Sequence, residues 1–311
     1  MERRGRSRRR AGALTDTLTG AIAASGYLAG WRLVRLLPEP AAQRLFARIA
    51  DEVFRRNGRS VLRLRGNLAR VRPDLDAGQL DALTHAGVRS YLRYWCESFR
   101  LPAWPTTDLV RRTRTVDEHF LRGAHAQGRG VVVPLPHMGN WDWAGAWACA
   151  TGMPLVTVAE RLRPERLYDE FVAYRTSLGM EILPLTGDAP AFPRLVEWVS
   201  GGGLVCLLAD RDLGRSGIEV DLCGHRARLP RGPALLARTT GAPLVPATLA
   251  YTGAEMVITL HEPVPHAPGA DGLVAMTQGV ADAFSRGLRE SPQDWHMMQR
   301  VFVDHADVVR G

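Results

Sequence analysis

Apolar residues in the first hundred positions recur at helical spacing. Leu45, Ile49 and Val53 follow at intervals of four with Arg44, Arg48 and Arg55 turned elsewhere, and Leu80, Leu83, Tyr91, Trp95 and Phe99 mark a second stripe. Pro38-Glu39-Pro40, Asn57-Gly58 and Arg72-Pro73 interrupt the pattern as loops, and Pro102 and Pro105 close it. The period then changes. Short apolar runs predict strands at Val131–Leu135, Leu155–Val158, Glu181–Leu185, Leu204–Leu208, Leu244–Tyr251 and Val257–His261. Helical patterns fall between them at Trp141–Ala150, Pro164–Leu178, Ala191–Ser200 and Gly232–Thr240, and a last helix, Leu273–Leu288, precedes Trp295. Such alternation predicts an α/β fold, with a central mixed sheet flanked by helices and a helical N-terminal layer. No linker divides the chain, so one continuous domain is expected: a basic disordered head over 1–10, the helical layer over 11–105, and an α/β core over 106–305.

Composition narrows the class without naming a chemistry. The 311 residues are 46% hydrophobic, which excludes wholesale disorder and is ample for a core. Four widely spaced cysteines with no CxxC pair exclude a disulfide scaffold or a zinc knuckle. Forty basic residues, all arginine, against thirty-two acidic ones leave a net charge of +8, which suits an anionic partner. Arg3, Arg4, Arg6, Arg8, Arg9 and Arg10 stand ahead of a stretch from Thr17 to Trp31 that carries no charge but is too short and polar to span a bilayer. A basic head resting on anionic lipid headgroups fits this arrangement, and a solubilising tail before a core helix fits it too. Basic residues interleaved with exposed aromatics, as nucleic-acid binding needs, are not seen, so that function is a remote alternative.

The chemistry concentrates at one strand end. Val131–Leu135 delivers His137 to its carboxyl edge, where open α/β sheets place their ligands. In Pro136-His137-Met138-Gly139-Asn140-Trp141-Asp142, Gly139 allows a tight turn and Asp142 falls in the first turn of the next helix. The spacing lets His137 fold back onto Asp142 as a base with its tautomer fixed; a loop histidine beside a helix-capping aspartate is the plain alternative. Asp210-Arg211-Asp212 follows another buried strand, where Asp210 is placed to organise the histidine and Arg211 to bind an anion, or all three to form a structural ion-pair network. Glu160 ends a third strand, placed to support His137, to cap a helix or to pair at the surface with Arg161 or Arg163. Arg175, beside the stripe Leu167, Phe171, Tyr174 and Leu178, is a ligand for a phosphate or carboxylate or a solvated helical arginine. Arg228, Pro230 and Arg231 precede a helix opening at Gly232-Pro233, whose N-terminal N–H groups suit a phosphate or simply start a core helix. Glu219 alternates with Ile218 and Val220, which favours a strand surface. Trp141, Trp143 and Trp147 alternate around the helix after His137 and suit a membrane interface or an aromatic core. No G-x-S-x-G elbow, Walker loop or strand-borne GxGxxG is present.

His137-Met-Gly-Asn-Trp-Asp142 resembles the HxxxxD box of lipid acyltransferases. With Glu160-Arg161, Tyr174-Arg175, Ala209-Asp210-Arg211-Asp212, Leu229 to Ala237 and Asp294-Trp-His-Met-Met-Gln-Arg300, the chain is similar over roughly residues 20–303 to the bacterial lipid A lauroyl/myristoyl acyltransferase superfamily, and most to its actinobacterial phosphatidylinositol mannoside branch. The resemblance implies transfer of a long-chain acyl group from acyl-CoA to a mannose hydroxyl of a phosphatidylinositol mannoside. His137 would be the general base, Asp142 and Asp210 its catalytic partners, and Glu160, Arg175, Arg211, Asp212 and Arg231 substrate contacts. Acyl-CoA would be a co-substrate, with no metal, no cofactor and no covalent acyl-enzyme. The enzyme would sit peripherally on the cytoplasmic face of the cell membrane. A lipid A-type enzyme drawing on acyl carrier protein is the alternative.

Overall fold

The computed structural model describes residues 30–31, 33–161, 165–185, 191–212 and 216–303. The basic head and most of the weakly apolar stretch behind it lie outside these residues. Three helices form the N-terminal layer: α1 (Glu39–Arg56), α2 (Arg59–Val71) and α3 (Ala77–Arg100). Each begins or ends where the sequence signals a break. α1 stops at Asn57, which takes the left-handed conformation at φ 46°, and α3 opens with a capping box between Asp76 and Gln79. α3 is the layer's axis. It packs Phe99 against Trp31 and Phe46 on one side, and Val88 against Leu64 and Leu68 of α2 on the other. Among the described residues no helix is long and apolar enough to cross a membrane.

A short 3-10 turn, Leu101–Ala103, leads to α4 (Thr106–Arg111), β1 (Thr113–Val116) and α5 (His119–Ala126). The α/β core follows as β2 (Val131–Leu135), α6 (Trp141–Ala150), β3 (Leu155–Ala159), α7 (Glu165–Ser177), β4 (Glu181–Pro184), α8 (Ala191–Ser200) and β5 (Leu204–Leu208). A hairpin of β6 (Ile218–Leu222) and β7 (His225–Leu229) precedes α9 (Gly232–Thr240), β8 (Ala247–Thr252), β9 (Glu255–Leu260) and α10 (Gly269–Glu290), before a second 3-10 turn at Pro292–Asp294.

Four strands make a wholly parallel sheet in the order β2-β5-β3-β4, and β1-β9-β8 make a mixed three-stranded sheet. Leu244 ties the two together through single bridges to Val132 and Val264. The expected α/β class with a helical front layer is therefore observed. β2 is buried along its whole length, as a near-continuous apolar run requires when both sheet faces are covered. β8 starts three residues later than the apolar pattern suggests, because Pro243 and Pro246 carry no N–H for a continuous ladder.

The order β2-β5-β3 has a consequence for the site. The chain skips a place after β2 and returns to fill it with β5, so the carboxyl ends of β2, β5 and β3 lie side by side. That is the topological position at which parallel sheets leave a crevice.

Candidate active site

His137 stands two residues beyond β2 with 25% of its side chain exposed, and Asp210 two residues beyond β5 with none. His137 Nδ1 lies 2.6 Å from Asp210 Oδ1, and its backbone N–H donates to Oδ2 of the same carboxylate at 2.9 Å. Trp295 supplies a third interaction, its indole N–H donating to Oδ2 at 2.8 Å. Burial pushes the Asp210 carboxyl up, but the imidazole and the N–H donors outweigh it and hold the group below the ordinary carboxylate range. Asp210 is therefore an anion whose lone pairs are committed, and Nδ1 of His137 carries its hydrogen toward it. Nε2 is left for chemistry.

Asp142 does not take that place. Its carboxylate, 1% exposed, accepts from Arg175 Nε at 2.6 Å on one oxygen and from the Tyr94 hydroxyl at 3.0 Å on the other. The expected fold-back of His137 onto Asp142 is thus replaced by a pairing with Asp210. Helix geometry explains the difference. Asn140 caps α6 by accepting from Trp143 N–H at 3.0 Å, so Asp142 lies inside the first turn and faces α3 and α7. Arg175, expected as a phosphate ligand, is committed to Asp142; burial lowers its proton affinity, but Asp142 and Tyr94 more than compensate and raise it above the ordinary arginine value.

The loop around His137 is fastened from two further directions. Glu97 of α3, also buried, accepts from Asn140 Nδ2 at 3.2 Å, from Tyr251 Oη at 2.8 Å and from Arg93 Nε at 2.7 Å. The segment Asp294–His296 runs antiparallel to His137–Gly139: His296 N–H donates to the His137 carbonyl at 2.8 Å, and Gly139 N–H to the Asp294 carbonyl at 2.9 Å. Gly139 adopts φ +56°, and a Cβ there would meet Leu249 Cβ at 2.9 Å, so the turn requires glycine. Its N–H, an attractive oxyanion donor by position, is already used.

Three cavities meet at Trp141. An apolar one of about 80 Å³ runs under α6 between the sheets, lined by Val133, Leu135, Ala144, Trp147, Cys206 and Leu249 among others. A second of about 250 Å³ is walled by His137, Glu160, Tyr168, Phe171, Arg175 and Arg211. A third of about 150 Å³ lies between α3 and the C-terminal segment, with Tyr91, Tyr94, Trp95, His137, His296 and Gln299 on its walls. Arg211 separates the last two: Nη1 donates to Gln299, Nη2 is 3.7 Å from Glu160, and buried Nε has no partner. Trp141 Nε1 and His296 Nδ1 are likewise buried without partners among the described residues.

The remaining sequence candidates fall elsewhere. Asp212 accepts from Gly217 N–H at 3.0 Å and lines none of the three cavities. Arg231 is exposed as the cap residue of α9 and lines none of the three cavities. Glu219 pairs with Arg226 and Arg228 on the surface of the hairpin, as its alternation suggests. Trp143 is core, its indole donating to Thr113 Oγ1 at 2.8 Å. Glu97 and Tyr94 were missed because they sit in an ordinary helical stripe, and the role of Trp295 has no local signal.

A histidine–aspartate pair thus stands at the ends of two parallel strands, with His137 on the walls of two cavities and a third, apolar one reached through Trp141. Residues 15–303 match the model of the bacterial lipid A biosynthesis acyltransferases. The chain belongs to that family. Within curated relatives, this family member is 44% identical over 287 residues to a protein named phosphatidylinositol mannoside acyltransferase in Mycolicibacterium smegmatis, covering 92% of this chain and 93% of the relative. It is 43% identical over 276 residues to a protein of the same name in Mycobacterium tuberculosis, covering 88% of this chain and 86% of that one.

Proposed function

We propose that this lipid A-family acyltransferase moves a long-chain acyl group from acyl-CoA to a mannose hydroxyl of a phosphatidylinositol mannoside. The observation that carries the reading is His137, oriented by Asp210 and lining two cavities that share Trp141 with the apolar one. The names and the near-complete coverage of the mycobacterial relatives support the acceptor class.

In this mechanism His137 Nε2 takes the proton of the mannose hydroxyl as its oxygen attacks the thioester carbonyl carbon. The resulting imidazolium faces the Asp210 carboxylate. Collapse of the tetrahedral intermediate breaks the C–S bond, and the proton on Nε2 passes to the departing thiolate. The ester, free CoA and neutral histidine remain, so no covalent enzyme intermediate and no cofactor is required. Positioned base catalysis of this kind contributes ~10²–10⁴-fold. Trp141 Nε1 and Arg211 Nε carry N–H groups without partners among the described residues, but both atoms are buried, so they serve an oxyanion or a sugar oxygen only after their side chains shift. The apolar cavity suits the acyl chain.

The reaction belongs at a membrane surface, since both substrates are amphiphilic. The +8 charge and the arginine-rich start support contact with anionic lipid, as do Leu33 and Leu36, which are 60% and 80% exposed at the edge of the helical layer.

The test incubates the purified full-length protein with radiolabelled palmitoyl-CoA and phosphatidylinositol mannosides, beside His137→Ala. Label in the glycolipid with the wild type alone is expected. Equal transfer by His137→Ala overturns the mechanism, and transfer only from acyl carrier protein or only to a lipid A precursor overturns the substrate assignment.

A further inference from the structure

The catalytic pair is completed by a residue from the far end of the chain. Trp295 is fully buried, stacks edge-on to Phe302 with centroids 6.3 Å apart, and lines none of the three cavities. Its single polar atom is spent on Asp210 Oδ2, the oxygen that also accepts from the His137 backbone. The other oxygen, Oδ1, is thereby left to Nδ1–H of His137. On either side of Trp295 the backbone is paired with the His137 loop, through Asp294 to Gly139 and through His296 to His137 itself.

We propose that Trp295 is a positioning residue for acyl transfer, its indole N–H fixing the rotation and charge distribution of the Asp210 carboxylate and, through it, the orientation and basicity of His137. The proposal rests on His137 acting as the base. Two consequences follow from hydrogen bonding alone. Without the indole donor Oδ2 is held by the His137 backbone N–H alone, and the short contact to Nδ1 loses part of its alignment. The same loss concentrates negative charge on the oxygens facing the imidazole, which favours its protonated form and moves the onset of activity to higher pH. The other titratable and charged groups around His137 are Arg211 after β5, Glu160 after β3, Asp142 with Arg175, Tyr168 on α7, Tyr91 and Tyr94 on α3, and His296 beside Trp295. None of them contacts the indole nitrogen among the described residues, so replacing it leaves their pairings in place.

The decisive variants remove the N–H and keep the ring. Trp295→Phe is the first; incorporation of benzothienylalanine at 295, with sulfur in place of N–H, is the second and preserves the full bicyclic volume. Both are measured in the full-length protein, with kcat and KM followed against pH. The expected result is a fall in kcat of about ten-fold, KM for both substrates within two-fold, and an acid limb displaced upward by about half a pH unit. In parallel, the downfield imidazole N–H proton resonance, assigned by its disappearance in His137→Gln, should shift or broaden in both variants.

A drop in kcat with an unmoved acid limb and an unmoved resonance would reduce Trp295 to packing and overturn the proposal. Unchanged kinetics would overturn it as well. Should Trp295→Phe fail to fold, the benzothienyl variant decides. Should the wild type transfer no acyl group to the glycolipid, the assigned reaction fails by that result, and the resonance alone tests Trp295: a shift supports its hold on Asp210, and none refutes it.

Discussion

Asp142 and Arg175 are a buried ion pair between α6 and α7, and their separation makes a sharp test of the site as described. Asp142→Asn leaves a guanidinium only 17% exposed without its counter-charge. Breaking a buried pair from one side costs about 3–5 kcal/mol, a large share of the 5–15 kcal/mol that holds a typical domain together. Arg175→Met should cost a similar amount, because Asp142 would keep only the Tyr94 hydroxyl. Together the two changes remove both charges and leave shapes that can pack, so the double variant should lie within about 2 kcal/mol of the wild type. A double-mutant cycle by urea denaturation, followed by tryptophan fluorescence, then yields a coupling of several kcal/mol. Additive losses would show that the two side chains do not depend on each other. An Asp142→Asn protein as stable as the wild type, yet as inactive as His137→Ala, would return Asp142 to the chemistry and refute its assignment to the scaffold.

Two other outcomes are expected. Burial, aided by His137, holds His296 down to about 3, and burial, aided by Arg286, holds His261 down to about 4. Both are neutral when folded but titrate near 6.5 when unfolded, so their contribution is complete above that pH and is lost as pH falls toward the folded values. At pH 5 each should have cost about 2 kcal/mol relative to pH 7.5; equal urea midpoints at the two pH values would contradict this, and His261→Asn should flatten the slope. Ala144→Phe projects a ring into the apolar cavity and should depress transfer of palmitoyl far more than of octanoyl donors in a chain-length competition; an unchanged preference would remove that cavity from the acyl path.

Much of the frame was legible in the sequence because its signals are local. Val131–Leu135, Leu204–Leu208, Trp141–Ala150 and Gly232–Thr240 fall where apolar period and turn residues place them. β1 and β7 did not stand out, and β6 showed only as the alternation of Glu219 with Ile218 and Val220: β1 is four residues of threonine, arginine and valine, and the hairpin puts Glu219, Asp221, Arg226 and Arg228 between its apolar positions. At the site, His137 and Asp210 were readable as charged groups at the ends of buried strands. Their pairing was not, because it follows from β5 filling the place beside β2, a property of strand order rather than of spacing. The His137–Asp142 interval looked like a dyad only because helical fold-back is the one contact a short interval suggests. Arg231 and Asp212 lie outside the three cavities, a placement that charge beside a proline or a strand end does not reveal locally.

The antiparallel pairing of Asp294–His296 with His137–Gly139 also sets a timetable for the life of the protein. The histidine leaves the ribosome first, and the segment that aligns it follows roughly ten to thirty seconds later at ~5–20 residues per second. Until then the nascent chain carries an imidazole whose carbonyl partner and whose brace on Asp210 have not been synthesised. The contacts that orient the base are therefore among the last the chain can form, and His137 and Asp210 wait for them although both are made long before.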